Sequence, residues 1–249
     1  MSIALGFQNE LFLLDKLELP TRYYYFNESE NYIKLLTIGE GIFPKDKIKT
    51  TIKLQNSSCI FTTESATKIY PSPKEYGLNY INISLEDSNC EFINDELILF
   101  EKAKLLQLVT VKMDEKSTLF YVDILSNGRS YENFDFTSIN TRNKFYIDKK
   151  LEYFENYEIS GKEYKEYLHR NSSTQTIFAK VYIKVDENEH FINSLTQCEF
   201  DTFSYTKSKK MVIGVLSDTN MSKLKKKMSE IWKIYRECLD KKEFNLGKQ

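Results

Sequence analysis

Three segments in the first half of the chain superpose without gaps: TIKLQNSSCIF (51–61), NISLEDSNCEF (82–92) and TVKMDEKSTLF (110–120). Each alternates polar and apolar residues, passes through a cluster of Asn, Asp, Ser or Lys, and resumes as a second strand ending in Phe. Alternation with period two marks a strand, and the polar cluster marks a turn. The copies follow one another by 31 and then 28 residues. Strand–turn–strand units at that period cannot bury their apolar faces alone, so they must stack. Ile52, Leu54, Ile83, Leu85, Val111 and Met113 are expected to form columns in a shared core. Cys59 and Cys90 hold equivalent places and read as small buried hydrophobes. KFYIDKKLEYF (144–154) is a looser fourth copy, read as a hairpin with a shorter turn.

After Val185 the period changes. Phe191, Ile192, Leu195 and Cys198 recur at helical spacing, with Asp186 or Asn188 as the N-cap. FDTFSYT (200–206) and KKMVIGVLS (209–217) read as two strands joined by a Lys-Ser turn. The clearest helix lies in 217–241, with Leu224, Met228, Ile231, Trp232, Tyr235 and Leu239 as its apolar stripe. Ser217, Asp218, Thr219 and Asn220 offer capping oxygens before it, and Lys225, Lys226 and Lys227 read as a solvated face. GKEYKEYLHRNSSTQT (161–176) is poor in aliphatics and reads as a loop. The expected fold is mainly β, with strands stacked in helical turns and two α-helices in the C-terminal part. It is expected to be one domain over 1–249, a β-stack over 1–185 and a helix–strand–strand–helix end over 186–241.

The 36 acidic and 35 basic residues leave a net charge of −1, which argues against nucleic acid as the main partner. The four cysteines stand apart at 59, 90, 198 and 238 with no CxxC, so neither a zinc site nor a disulfide framework is expected. The first residues lack a basic start and their longest apolar run is Leu11 to Leu14, so no signal peptide or membrane span is expected and the cytoplasm is the expected location. The two histidines, His169 and His190, have no ligand-spaced partner. GxSxG, GxGxxG and GxxxxGK[ST] are absent, which removes the common nucleophile elbow and nucleotide cradles. Nothing here makes a positive case for an enzyme.

Three polar clusters remain on the β part: GEGIFPKDK (39–47), FTTESATKIYPSP (61–73) and DILSNGRSYENF (123–134). At these clusters the chain resembles the UreD (UreH) family of urease accessory proteins. FTTESATKIYPSP is similar to the family's TTQxATKxYxSP segment, GEGIFPKDKI to its GGGxxxGDxx segment, and YVDILSNGRSYENFDF to its xxExxxxGRxxxxExFxF segment. IWKIYREC resembles the LWxxLR helix near the family's C-terminus. The chain departs from the pattern at Glu40 and Lys45, where the family has Gly, and at Glu64, where it has Gln.

The resemblance implies a stack of strands with two C-terminal helices and a non-catalytic role. It implies binding to apo-urease and to UreF, which recruits the nickel-carrying GTPase UreG, so that Ni²⁺ reaches the urease site. The metal is then in transit, and no cofactor is held permanently. The implied route is a water-filled interior passage lined by polar side chains. Asp46, Glu64 and Glu132 are the candidate metal-path residues, and Lys68 would pair with a carboxylate and limit trapping. Thr67, Tyr70 and Arg129 are further candidates for the passage or an assembly surface. A reading from another class is a β-solenoid scaffold or carbohydrate-binding protein unrelated to urease.

Overall fold

A computed structural model describes residues 1–27, 29–38, 41–129, 132–197, 200 and 202–247. In chain order the first strands are β1 (Ser2–Gln8), β2 (Leu11–Leu17), β3 (Thr21–Asn27), β4 (Asn31–Thr37) and β5 (Gly41–Ile42). The repeats follow as β6 (Lys47–Gln55) and β7 (Ser58–Thr63), short β8 (Thr67–Ile69), β9 (Gly77–Glu86) and β10 (Asn89–Leu99), then β11 (Lys104–Met113) and β12 (Thr118–Leu125). Next come β13 (Ser138–Ile147), β14 (Lys150–Ile159), α1 (Gly161–Arg170) and β15 (Ile177–Lys184). The end comprises α2 (Asn188–Gln197), β16 (Phe203–Tyr205), β17 (Val212–Asp218) and α3 (Met221–Glu237).

Two sheets face each other. One runs β14-β13-β11-β9-β6-β1-β2 and the other β16-β17-β15-β12-β10-β7-β4-β3. Each repeat spends its first strand in one sheet, crosses at the polar turn, and spends its second strand in the other. The columns form as expected: Ile52, Ile83, Val111 and Phe145 stand in register, as do Leu54, Leu85, Met113 and Ile147. Cys59 pairs with Cys90, and both are buried. KFYIDKKLEYF is the expected hairpin. Asp148 and Lys149 adopt positive φ at its two-residue turn, so β14 folds back beside β13 rather than crossing. Antiparallel β14 and β15 thus close the stack at one side, and β2 and β3 close it at the other.

The gapless alignment needs one correction. In register, Leu119 and not Thr118 lies beside Cys90, because the third crossing is one residue longer. A one-residue slip exchanges the two faces of a strand. Tyr121 therefore continues the inner stack of Phe61 and Phe92, while Phe120 joins the core on the other face. The crossings interlock through serines. Ser57 N–H donates to Ser88 Oγ and Ser88 N–H donates to Ser117 Oγ, each at 3.2 Å. The longer third crossing is tied by Lys184, whose Nζ donates to the Glu115 and Ser117 carbonyls at 2.6 and 2.7 Å.

Helix α1 occupies residues read from sequence as a loop. Its signal is a capping box: Ser160 Oγ accepts from Glu163 N–H at 3.2 Å while Glu163 Oε2 accepts from Ser160 N–H at 2.7 Å. Gly161 lets this turn approach the strand end, since a Cβ there would meet the Phe134 carbonyl at 1.8 Å. Tyr164 stacks on Phe134 and Leu168 is buried, a short stripe that the scarcity of aliphatics concealed.

Helices α2 and α3 cover the outer face of the second sheet. Phe191 and Leu195 of α2 are buried as expected, while Cys198 lies outside the described residues. The β16–β17 pair forms as expected. In α3 the expected stripe is buried through Tyr235, Leu239 follows the helix partly buried, and Asn220 is the cap. The lysine run is not simply solvated: Lys225 pairs with Asp95 and Glu96, and Lys227 with Asp218.

A buried charge fastens α3. Glu91 replaces the apolar residue found beside it at Ile60 and Phe120. Its Oε2 accepts from Trp232 Nε1 at 2.6 Å and Arg236 Nη1 at 2.7 Å, and both Glu91 and Arg236 are 1% exposed or less. Arg236 also pairs with Glu30 and donates to the Lys242 carbonyl at 2.6 Å. Removing one member leaves an uncompensated buried charge. Glu91→Ala is therefore expected to cost about 3–5 kcal/mol. Trp232→Phe, which deletes one charge-assisted bond, is expected to cost about 1.5–3 kcal/mol. Urea denaturation monitored by far-ultraviolet circular dichroism would measure both, and equal losses would refute the asymmetry.

Candidate functional site

Between the two sheets the apolar interior is interrupted by a polar layer. Reading back from the columns, inward alternation reaches Asn79 on β9, Gln107 on β11, and Asn143 then Thr141 on β13. Asn79, Gln107 and Thr141 stand in one rung of the first sheet. From the second sheet Thr63, Asn94, Asp123 and Lys180 face them, with Asp123 directly opposite Lys180. The apolar cores lie on either side of this layer.

The layer surrounds two adjoining cavities. The first, of about 90 Å³, is lined by Thr50, Thr63, Ser65, Thr67, Asn79 and Asp95 among others. The second, of about 350 Å³, is lined by Thr141, Asn143, Tyr157, Lys180 and Tyr182 among others. Leu97, Gln107 and Asp123 line both, so these side chains stand between the two cavities. Both have room for water beside their polar groups.

Asp123 is the centre of the layer's hydrogen bonding. Its Oδ1 accepts from Tyr121 Oη at 2.8 Å and Asn94 Nδ2 at 3.2 Å, and its Oδ2 from Gln107 Nε2 at 3.1 Å. Asn79 Nδ2 in turn donates to Gln107 Oε1 at 3.0 Å. Asp123 is enclosed by protein, and the surface it retains faces the cavities. Burial pushes its carboxyl up to about 6, against the downward pull of the Tyr121 and Asn94 hydrogen bonds and the Lys180 charge.

The sequence-derived candidates fall in two places. Thr67 lines the first cavity beside Ser65 and Ala66. Glu64 adjoins this lining in sequence and forms a half-exposed pair with Lys34 at 3.4 Å. Lys68 alternates to the opposite side of β8 from Thr67. The others gather at the stack's end opposite the crossings. Tyr70 stacks on Phe43 at 4.1 Å and meets Phe100 edge-on at 5.2 Å. The Arg129 guanidinium lies 4.1 Å over the Phe100 ring and pairs with Glu132 at 2.6 Å.

Glu132 also accepts from the backbone N–H groups of Arg129 and Glu101, at 3.0 and 3.1 Å. Burial opposes ionisation of Glu132, but these hydrogen bonds outweigh it and hold the carboxyl below its ordinary value. Gly128, at φ +112°, makes the turn that brings Arg129 and Glu132 together. Asp46 closes the turn before β6 by accepting from Phe43 N–H at 3.0 Å. Lys45, where the family pattern has Gly, takes φ +70° in that turn. Gly39, Glu40, Ser130 and Tyr131 of the same motifs lie outside the described residues.

The three clusters thus converge, but as a stacked aromatic and cationic end rather than a line of carboxylates. Among the described residues no group of three or more His, Cys, Asp or Glu is placed to hold a metal ion. Nor is any helix among them long and apolar enough to cross a membrane. His190 approaches Cys238, with Nδ1 and Sγ at 3.9 Å, a proximity that spacing did not reveal.

Comparison with known proteins settles the kinship. The family described as UreD urease accessory protein matches residues 19–246. The chain belongs to the UreD family. It is 56% identical over the full length of both chains to the urease accessory protein UreD of Aliarcobacter butzleri (strain RM4018). It is 32% identical to that of Staphylococcus epidermidis (strain ATCC 12228 / FDA PCI 1200), over 65% of this chain and 60% of the relative. This sets aside the reading of a β-solenoid or carbohydrate-binding protein unrelated to urease. Within this UreD-family fold, sequence reasoning missed Asn79, Asn94, Gln107, Asp123, Thr141, Asn143 and Lys180 as a group. Counting each strand backward in twos from its apolar column would have found most of them.

Asp123 is expected to gain its charge only as pH rises through about 6, against 3.8 for an ordinary aspartate. A raised folded-state value means that this group favours folding most below its unfolded value and loses that contribution as pH rises through the folded one. A ¹³C titration of the Asp123 carboxyl checks this, and a midpoint at the ordinary value would contradict it.

Proposed function

We propose that this protein is a non-catalytic scaffold of urease maturation that binds apo-urease and UreF and passes Ni²⁺, brought by the GTPase UreG, toward the urease site. The observation that carries this reading is the polar layer: two adjoining cavities with Asp123 between them inside an otherwise apolar stack. Ni²⁺ released into bulk water would be lost to stronger competing ligands, so containment must supply the selectivity that affinity cannot. A route must also release its cargo. Hydroxyls, amides and the separated carboxylates Asp95, Asp123 and Glu158 attract a divalent ion but hold it less firmly than clustered imidazoles or thiolates would.

The parts divide the task. Thr63, Ser65 and Thr67 supply hydroxyls in the first cavity, and Glu64 places negative charge beside them. A fully hydrated ion with six waters needs roughly 180 Å³. An ion passing the first cavity meets these hydroxyl oxygens, which can replace part of its water. Asp46 and Glu132 act by shaping the turns around Tyr70 and Arg129, whose stacked end is a surface for assembly.

The test separates binding from passage. Asp123→Asn and Ala66→Phe, one removing the carboxylate and one narrowing the first cavity, are expected to lower urease activation about tenfold or more. Both should leave co-purification with UreF and apo-urease intact. Normal activation by both variants in an intact complex would sink the passage reading. Loss of co-purification by the wild-type protein would sink the scaffold reading.

A further inference from the structure

Among the described residues Lys180 is the one cation that lines the larger cavity, and it stands opposite Asp123 across the β12–β15 pair. It reaches from the second sheet to the first, where Glu155 on β14 accepts from its Nζ. Its ammonium also lies 4.1 Å from the centre of the Tyr157 ring, a second electrostatic anchor. Glu155 is in turn fixed by Tyr182 Oη at 2.8 Å, and Tyr182 Oη accepts from Asn143 Nδ2 at 2.8 Å. The lysine is therefore held in place beside the carboxylate and apart from it.

The same cavity has two buried oxygens that lack a partner at good hydrogen-bond geometry, Asn143 Oδ1 and Thr141 Oγ1, the latter with the Tyr157 hydroxyl nearby. Thr141 is 3% exposed and Asn143 1%. Buried acceptors left open call for donors, and the polarised waters of a hydrated dication are strong donors. At about 350 Å³ the cavity exceeds the roughly 180 Å³ of an ion with six waters. The donors it wants, its size and its two carboxylates, Asp123 and Glu158, all suit a hydrated divalent cation. Its fixed ammonium opposes one.

We propose that Lys180 is the release residue of this cavity: a tethered positive charge, held by Glu155 and Tyr157, that keeps a hydrated dication from settling at Asp123. The acidic junction draws the ion in, the open oxygens of Thr141 and Asn143 bind its waters, and Lys180 shortens its stay. This rests on the passage reading and adds its regulation. Glu155 has the opposite effect to that of an ordinary metal-path carboxylate. It holds Lys180 away from Asp123, and without it the ammonium would fall onto that carboxylate and block the junction.

The experiment is equilibrium dialysis of the full chain against Ni²⁺ alone, with stopped-flow release to a chelator. Lys180→Met is expected to bind Ni²⁺ about tenfold tighter or more and to release it correspondingly slower, whereas Lys180→Arg behaves as wild type. Lys180→Gln, which stays neutral and can still bond Glu155, should follow the Met variant and serves if that variant fails to fold. Glu155→Gln is expected to weaken binding. Met and Gln variants that hold Ni²⁺ no longer than wild type overturn the proposal, as does an Arg variant that matches them. Asp123→Asn distinguishes this from the parent reading: if it abolishes urease activation while the Lys180 variants bind as wild type, the passage stands and the release role falls.

Discussion

The fold depends on the crossing between the sheets. Each repeat leaves one sheet and enters the other through a short turn, and in the first two a backbone N–H of that turn is received by the serine hydroxyl of the next. Buried backbone donors must find partners, and here each turn can be satisfied only if its neighbour lies in register. That condition turns sequence repetition into columns, Ile52 over Ile83 over Val111 and Cys59 over Cys90. It also turns a few polar substitutions at inward positions into a continuous layer. Asn79, Gln107 and Thr141 share a rung because the strands cannot slide without breaking the turns.

The layer has an energetic consequence. Polar groups taken from water into a protein interior cost free energy unless they are bonded. Most of those here bond to one another around Asp123. The exceptions, Thr141 and Asn143, lie together in the larger cavity. The remainder of the molecule offsets this weakness with closed ends and a fastened helix. Antiparallel strands cap both sides of the stack, and α3 is tied to the second sheet through Glu91, Trp232 and Arg236. Lys225 adds a tie from α3 to β10 through Asp95 and Glu96, the same segment that lines the first cavity.

The stack was legible because period-two alternation and a recurring turn are local signals, and so were α3 and the β16–β17 pair. The one-residue shift at the third crossing was not, because Thr118 and Leu119 are both plausible strand residues and only cross-strand register separates them. Helix α1 was missed because aromatic residues do the work of its apolar stripe, although Ser160 and Glu163 announced it. The candidate site was legible in part. Motif resemblance led to the exposed segments around Asp46, Tyr70 and Glu132, where turns demand particular residues. The interior layer is drawn from seven strands, and a constellation that exists only after stacking leaves no short motif.

The split between exposed motif and interior layer has a physical reading. Glu132 is taken up by turn hydrogen bonds on both oxygens, and Asp46 accepts a turn N–H on one, so these carboxylates serve to hold the backbone. A group so committed makes a rigid rim and a poor ligand. Asp123 is the reverse: its bonds come from side chains, and burial keeps its proton affinity high, so it is the carboxylate that can exchange a proton near neutral pH. A conduit needs both kinds of carboxylate. On the proposed passage the committed ones would hold its outer rim, and the exchangeable one, balanced by a lysine across the strand, would set how long a cation stays.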